Sequence, residues 1–243
     1  MPKPILTAEM LKRYDYFKHI VPLFQKHYPN GITKWNLEEQ IKLLKTPLRK
    51  YLGLFWDEGL LENISMAGVN LRGLYLEEAD LRGVDFREAN LLKARLTRAN
   101  LTRANFTGAN LTRANLTGAN LFRANLRKAD LRIAGLVEAD LTEAYLRYSY
   151  LTGANLTGAN LYMADLIGAN LTGANLYMAD LIEANLIEAN FYKANFQGAD
   201  LTKADFTEAD LRYCQLYDTT FHKAILINAK LNPKDFYKYF LKK

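Results

Sequence analysis

The sequence predicts an all-β solenoid carrying small helical segments, and three observations predict it. From Met66 to Leu231 every fifth residue is Leu or Phe after the initial Met, through more than thirty units without a slip. The residue two places earlier is small, usually Ala, and the residue between is usually Asn or Asp. The third observation is that five matches neither common period. On a helix, which advances about 100° per residue, a Leu every fifth place would face every direction in turn. On an unbroken strand an odd period would send successive leucines to opposite faces. Both conflicts vanish if the chain turns a corner once per unit. The small residue and the Leu, two apart, then share the inward side of a short extended segment, and the other three positions lie outside or form the corner.

Before the repeat, residues 1–63 carry no five-residue period and read as a helical N-terminal domain or cap. Thr7 caps a helix whose apolar residues Leu11, Tyr14, Phe17, Val21 and Phe24 recur at three- and four-residue steps, and Pro22 must kink or restart it. Tyr28-Pro29-Asn30-Gly31 reads as a turn. Asn36 and Glu39 have capping-box spacing ahead of Leu37, Ile41 and Leu44. Thr46-Pro47 starts a third helix with Leu48, Tyr51, Leu52 and Phe55 on its apolar face, stopping near Gly59. Two readings stand for this segment. Solenoids need a cover over each open end, and Trp35 and Trp56 would then belong to the core or to the junction with the first coil. Three helices followed by Gly59-Leu60-Leu61 also have some likeness to a helix-turn-helix, with Arg49 and Lys50 facing phosphate or base edges.

Within residues 64–231 the outward choices fit a corner. Gly follows the Leu at two places' distance in Thr152-Gly153 and Thr157-Gly158, where a turn needing positive φ favours it. Asn or Asp before the Leu can bond local backbone and form a ladder with its counterpart in the next coil. Each inward pair joins one small and one large side chain, so the core is narrow and filled. The units, with Phe in place of Leu at Phe86, Phe106, Phe191, Phe196, Phe206 and Phe221, resemble the pentapeptide repeat family over about two thirds of the chain. The resemblance implies a right-handed quadrilateral β-helix with four pentapeptides per coil, a number the period alone does not supply. The run Leu156–Ile167 recurs fifteen residues later from Leu171, which reads as duplication and not as a three-sided coil. After the last repeat, residues 232–243 read as a short capping helix started by Asn232-Pro233, with Phe236, Tyr239 and Phe240 on one face.

With four sides, residues twenty apart stack about 4.8 Å apart, and surface columns can be read. The chain has net charge +6, unevenly spread. Lys93, Arg95, Arg98, Arg103, Arg113, Arg123, Arg127, Lys128 and Arg132 face a single acid, Asp130, while residues 151–210 are dominated by acids. Arg103 stacks with Arg123, Arg127 with Arg147, and Lys93 with Arg113, so the basic band wraps several faces. It is either a solvated surface or the seat of an anionic partner. Residues 133–150 break the consensus: Gly135, Tyr145 and Tyr150 replace Asn or Asp, Ser149 replaces Ala, and Tyr148 is a further outward aromatic beside Arg147. Tyr and Arg together are what binding hot spots favour, so Arg103, Arg113, Arg123, Arg127, Arg132, Tyr145, Arg147, Tyr148 and Tyr150 are the candidate partner-binding residues. Tyr162, Met163, Ile167, Tyr177, Met178, Ile182 and Ile187 form a second, apolar candidate interface, with Ile167 over Ile187 and Tyr162 over Ile182. A homodimer would use either these columns or the C-terminal helix.

Catalytic chemistry finds no support. His19, His27 and His222 have no common ligand spacing, glycines recur singly at corners, and Cys214 is the one cysteine, in a slot that elsewhere holds Ala. No metal, cofactor or internal disulfide is expected. There is no apolar run long enough for a membrane span, and Glu9 and Lys12 interrupt the start before the apolar core of a signal peptide, so a cytoplasmic location is the expectation. The function expected is a non-catalytic scaffold presenting side-chain columns to an unknown protein partner. Nucleic-acid binding through the N-terminal helices and the basic band is the alternative. Family members that mimic DNA and inhibit gyrase do so with a strongly acidic surface, a pattern from which this chain departs.

Overall fold

A computed structural model describes residues 6–13, 19–32, 36–52 and 65–232. From residue 65 onward, parallel β-bridges join residues twenty apart in unbroken succession: Ser65 to Asp85, Asn70 to Asn90, and so on to Asp210 with Lys230. Twenty residues per coil is four pentapeptides, so each coil has four sides and four corners. The sides are numbered here by their central residues: side 1 holds Met66 and Phe86, side 2 Leu71 and Leu91, side 3 Leu76 and Leu96, side 4 Leu81 and Leu101. The duplication at fifteen residues' spacing leaves this register untouched.

Hydrogen bonds show why the unit reads as it does. In residues 101–105, Leu101 N–H donates to Asn120 O at 2.7 Å and Arg103 N–H to Phe122 O at 2.9 Å, both in the next coil. Asn105 N–H donates to Val84 O in the previous coil, and Ala104 N–H closes the corner onto Leu101 O, each at 2.9 Å. Only the N–H following the Leu finds no backbone acceptor, and at Thr102 it donates to the Asn100 side chain at 3.3 Å. The same bond recurs at every Asn or Asp in this slot, from Asn70 to Asp210. The repeat needs Asn or Asp there because a shielded backbone donor would otherwise go unpaired. Laddering between coils is secondary; it appears where Asn195 donates to Asn175 Oδ1 at 3.0 Å and Asn175 to Asn155 Oδ1 at 3.4 Å.

Each corner puts its second residue at φ between 54° and 69° whatever its identity, from Arg103 at 58° to Gly108 at 69°, with Tyr213 at 63°. Positive φ is therefore a property of the corner and not of glycine alone. The inward Ala and Leu or Phe residues are fully buried from Leu76 to Leu211, and Phe86 stacks on Phe106 with ring centroids 4.9 Å apart.

Among the described residues three α-helices precede the coils: α1 (Ala8–Leu11), α2 (Val21–His27) and α3 (Leu37–Leu44). Thr7 and Asn36 accept N-cap hydrogen bonds as the spacing predicts. Pro22 sits in the first turn of α2, so the proline restarts the helix instead of kinking it. The third expected element opens at Thr46-Pro47 as a 3-10 segment, Pro47–Tyr51, and its expected continuation toward Gly59 lies outside the described residues. Leu6 pairs with Ile32 in an antiparallel bridge, and Phe24, Leu43, Leu44, Leu48 and Leu52 join a core continuous with that of the coils. Asp80 N–H donates to Arg49 O at 3.0 Å, and Lys50 forms an ion pair with Glu78. Arg49, through its backbone carbonyl, and Lys50 thus tie the helical segment to the first coil, and the ion pair with Glu78 engages the Lys50 charge expected to face phosphate. Tyr14, Phe17, Trp35, Phe55, Trp56, Gly59 and the C-terminal helix lie outside the described residues.

Candidate interaction surface

The coil geometry brings the consensus-breaking residues together. Tyr145 and Arg147 lie on side 1, Tyr148 forms the corner, and Tyr150 opens side 2, so three phenol rings stand on adjoining faces. Their exposures of 42%, 52% and 52% make them solvent-facing and not core residues. One coil back, the Arg127 guanidinium lies 5.3 Å from the Tyr145 ring centre. One coil on, Arg147 is held by Asp165, and the Tyr148 ring lies over Gly168.

This arrangement has a structural cost. Because Tyr145, Tyr150 and Gly135 replace Asn or Asp, the N–H groups of Arg147, Thr152 and Val137 lose the side-chain acceptor that the repeat otherwise provides. Such a bond contributes about 0.5–1.5 kcal/mol. Ser149, in the Ala slot, is buried and donates to Leu146 O at 2.7 Å, so it is satisfied without disturbing the core.

The basic band is less free than its sequence implies. Asp130 clamps Arg132 on the same side, accepting from Nε at 2.9 Å and from Nη2 at 2.6 Å. Burial disfavours the Asp130 charge, but the Arg132 side-chain and backbone hydrogen bonds outweigh it and hold the carboxyl below its usual range. Arg123 bonds Glu143 in the next coil at 2.7 Å and stacks 4.9 Å from the Phe122 ring centre. Arg103, Arg113 and Arg127 are exposed and have no carboxylate partner among the described residues.

The apolar candidates are spread over three sides. Tyr162, Met163 and Ile182 belong to side 4 and its corner, Ile167 and Ile187 to side 1, and Tyr177 and Met178 to side 3 and its corner. Met163, Tyr177 and Met178 are exposed, whereas Tyr162, Ile167, Ile182 and Ile187 are half-buried. Sequence reasoning passed over two other features. A far aromatic group joins Tyr192 and Tyr213, 5.2 Å apart, with Arg212 5.8 Å from the Tyr192 ring centre. Ile133, exposed at a corner, occupies a slot that elsewhere holds Gly, charged or polar residues, Met or Tyr; that mismatch was the available signal.

Among the described residues no cluster of His, Cys, Asp or Glu is placed to hold a metal, and no helix is long and apolar enough to cross a membrane. The pentapeptide repeats model matches residues 64–103, 99–132, 134–173, 164–202 and 199–232, in 8 copies. The chain belongs to the pentapeptide repeat family. It is similar to HetL, a pentapeptide repeat protein involved in heterocyst differentiation regulation from the cyanobacterium Nostoc sp. strain PCC 7120, at 31% identity over 70% of this chain and 85% of HetL, with a TM-score of 0.39. It is also similar to the pentapeptide repeat protein Rfr23 of the cyanobacterium Cyanothece 51142, at 28% identity over 53% of this chain and 91% of Rfr23, with a TM-score of 0.32. QnrB1, a plasmid-mediated fluoroquinolone resistance protein, is 22% identical over 71% of this chain and 83% of its own, with a TM-score of 0.30. No curated protein matches the chain.

Proposed function

We propose that this pentapeptide repeat protein is a non-catalytic interaction scaffold: a right-handed quadrilateral β-helix that presents rigid side-chain columns to a protein partner in the cytoplasm. The observation that carries the reading is the coil at Tyr145, Tyr148 and Tyr150. Three exposed rings sit on adjoining sides, beside Arg127 and Arg147, and the repeat gives up backbone-satisfying Asn or Asp residues to present two of them, Tyr145 and Tyr150. Aromatic side chains held by a rigid backbone lose little entropy on binding, which is what an interaction hot spot requires. Met163, Tyr177 and Met178 supply a second surface, suited to a partner or to a second copy of the chain.

Nucleic-acid binding is the weaker reading. Arg123, Arg132 and Arg147 are each matched by a carboxylate, and Lys50 is paired within the fold. The deciding experiment is affinity capture from extract with the wild-type chain and with a Tyr145→Ala, Arg147→Ala, Tyr148→Ala variant, both checked for folding by circular dichroism. The scaffold surface requires that a specific partner be recovered by the first and lost by the second. Equal recovery removes this surface, and salt-sensitive duplex binding by the wild type would favour the nucleic-acid reading.

A further inference from the structure

Side 2 of the early coils carries a feature that the tyrosine surface does not include. Arg72, Lys93, Arg113 and Arg132 surround a shallow open groove whose apolar wall is Leu92 and Ile133. The four cations come from four successive coils, and Lys93 and Arg113 occupy the same corner column, about 4.8 Å apart along the stack. All four are exposed. Side 2 and its corner hold no carboxylate in the first three coils: the slots before the Leu are Asn70, Asn90 and Asn110, each committed to a local backbone bond. Asp130, in the fourth coil, neutralises Arg132 alone. Among the described residues, Arg72, Lys93 and Arg113 have no carboxylate partner, and the three face one groove.

Ile133 makes the groove more than a charged patch. Its φ is 59°, and among the described non-glycine residues with positive φ it is the only β-branched one. A β-branched side chain tolerates this backbone region poorly, and the residue spends that strain on an exposed position, at 57%, where it buries little of itself. Neither packing nor propensity accounts for an isoleucine there. An apolar contact delivered from outside does.

We propose that this groove docks an acidic segment of the partner protein, its carboxylates on Arg72, Lys93 and Arg113 and an interspersed apolar side chain against Ile133 and Leu92. The proposal rests on the scaffold reading and names the partner's chemistry. Guanidinium forks match carboxylates, and a shallow, open groove suits a peptide laid along it better than a small molecule that must be enclosed. Exposed aromatic rings, on which nucleic-acid bases would stack, do not line it.

The test is fluorescence anisotropy on the full chain with a labelled peptide alternating Glu and Leu, alongside the same peptide with Gln for Glu, an oligothymidylate of matched charge, and phosphatidylserine vesicles. The Glu peptide should bind, more tightly at low salt, and the Gln peptide should not. Lys93→Glu with Arg113→Glu should weaken binding by roughly tenfold or more. That variant should fold, because Glu88 and Glu138 already occupy corner positions of this kind at positive φ. Ile133→Gly should weaken binding severalfold while raising the melting temperature, the reverse of what a merely structural isoleucine would do. The proposal is overturned if charge reversal leaves peptide binding unchanged, if the Gln peptide binds equally, or if the oligothymidylate or the vesicles bind more tightly than the peptide. Loss of partner capture by the tyrosine variant alone would sink the groove and keep the tyrosine surface; groove-dependent peptide binding with unchanged capture by the tyrosine variant would do the opposite.

Discussion

The Tyr148 ring lies so closely over Gly168, one coil along the same corner column, that a β-carbon on Gly168 would stand 2.6 Å from Tyr148 Cε1. The two residues are coupled: the glycine supplies the space in which an exposed tyrosine is held flat against the rod. At Gly173, also at a corner with positive φ, a β-carbon would meet nothing within 4 Å. Gly173→Ala should therefore carry only the left-handed backbone penalty, about 1 kcal/mol, whereas Gly168→Ala adds a steric clash and should reach about 2–3 kcal/mol. In a Tyr148→Ala background the excess at Gly168 should disappear. Urea unfolding of the double-mutant cycle reads the coupling directly, and additive losses would show that the ring moves aside without cost.

The unpaired N–H after each non-consensus slot gives a prediction of opposite sign. Tyr150→Asn should let the new side chain accept from Thr152 N–H, as Asn170 does from Thr172 at 3.0 Å in the next coil, and stabilise the fold by about 0.5–1 kcal/mol. Asn110→Ala, which orphans Thr112 N–H, should destabilise it by a similar amount. Partner capture should fall with Tyr150→Asn despite the gain in stability. A Tyr150→Asn variant no more stable than wild type would mean that water already satisfies Thr152 N–H.

How far these features were legible in the sequence depends on whether they follow from position or from pairing. The inward Ala and Leu, the corner at each unit and the stacking of Arg103 with Arg123 follow from an unbroken five-residue register. The number of sides does not, since any whole number of pentapeptides per coil preserves the register; bridges such as Asn100 to Asn120 supply the four. That Asn and Asp bond local backbone follows from their chemistry, but which N–H they satisfy does not, because it depends on which backbone N–H the neighbouring coils leave unpaired. Charge pairing was misjudged for a related reason: Asp130 and Arg132 are separated by the inward Leu131, and only the shared outward side brings the guanidinium back onto the carboxylate. In the helical segment Pro22 and Pro47 each open a new element at its first turn, which the proline rule leaves open between a kink and a restart.

Cys214 replaces the small inward residue on side 3, where it is buried and its thiol donates to Phe191 O at 3.0 Å. A thiol reagent should label the native chain only through opening of the late coils, and label it rapidly in denaturant. Cys214→Ala should change stability by less than about 1 kcal/mol, since the consensus side chain replaces the thiol at the loss of one weak hydrogen bond. Fast native-state labelling would show instead that the coil around Leu211 opens readily.

Acid sensitivity should concentrate in three local clamps. The hydrogen bond from the Arg87 side chain, assisted by its backbone N–H, lowers the Asp85 carboxyl against opposing burial, and Arg212 does the same to Asp210. At Asp130 burial is the largest single influence and pushes the other way, yet the Arg132 bonds still leave the carboxyl lowered. A carboxyl lowered in the folded state contributes stability that is fully present above its unfolded pKa, near 4, and is lost as pH falls through the folded value. Stability should accordingly be flat from neutral pH down to about 5 and decline below about 4. Replacing all three by Asn keeps a side-chain oxygen for the backbone N–H of Arg87, Arg132 and Arg212 but removes the titrating charge, so the variant should start less stable at neutral pH and show a shallower acid limb. Urea midpoints measured across this range for both chains test it, and parallel pH profiles would assign the acid sensitivity to other carboxylates.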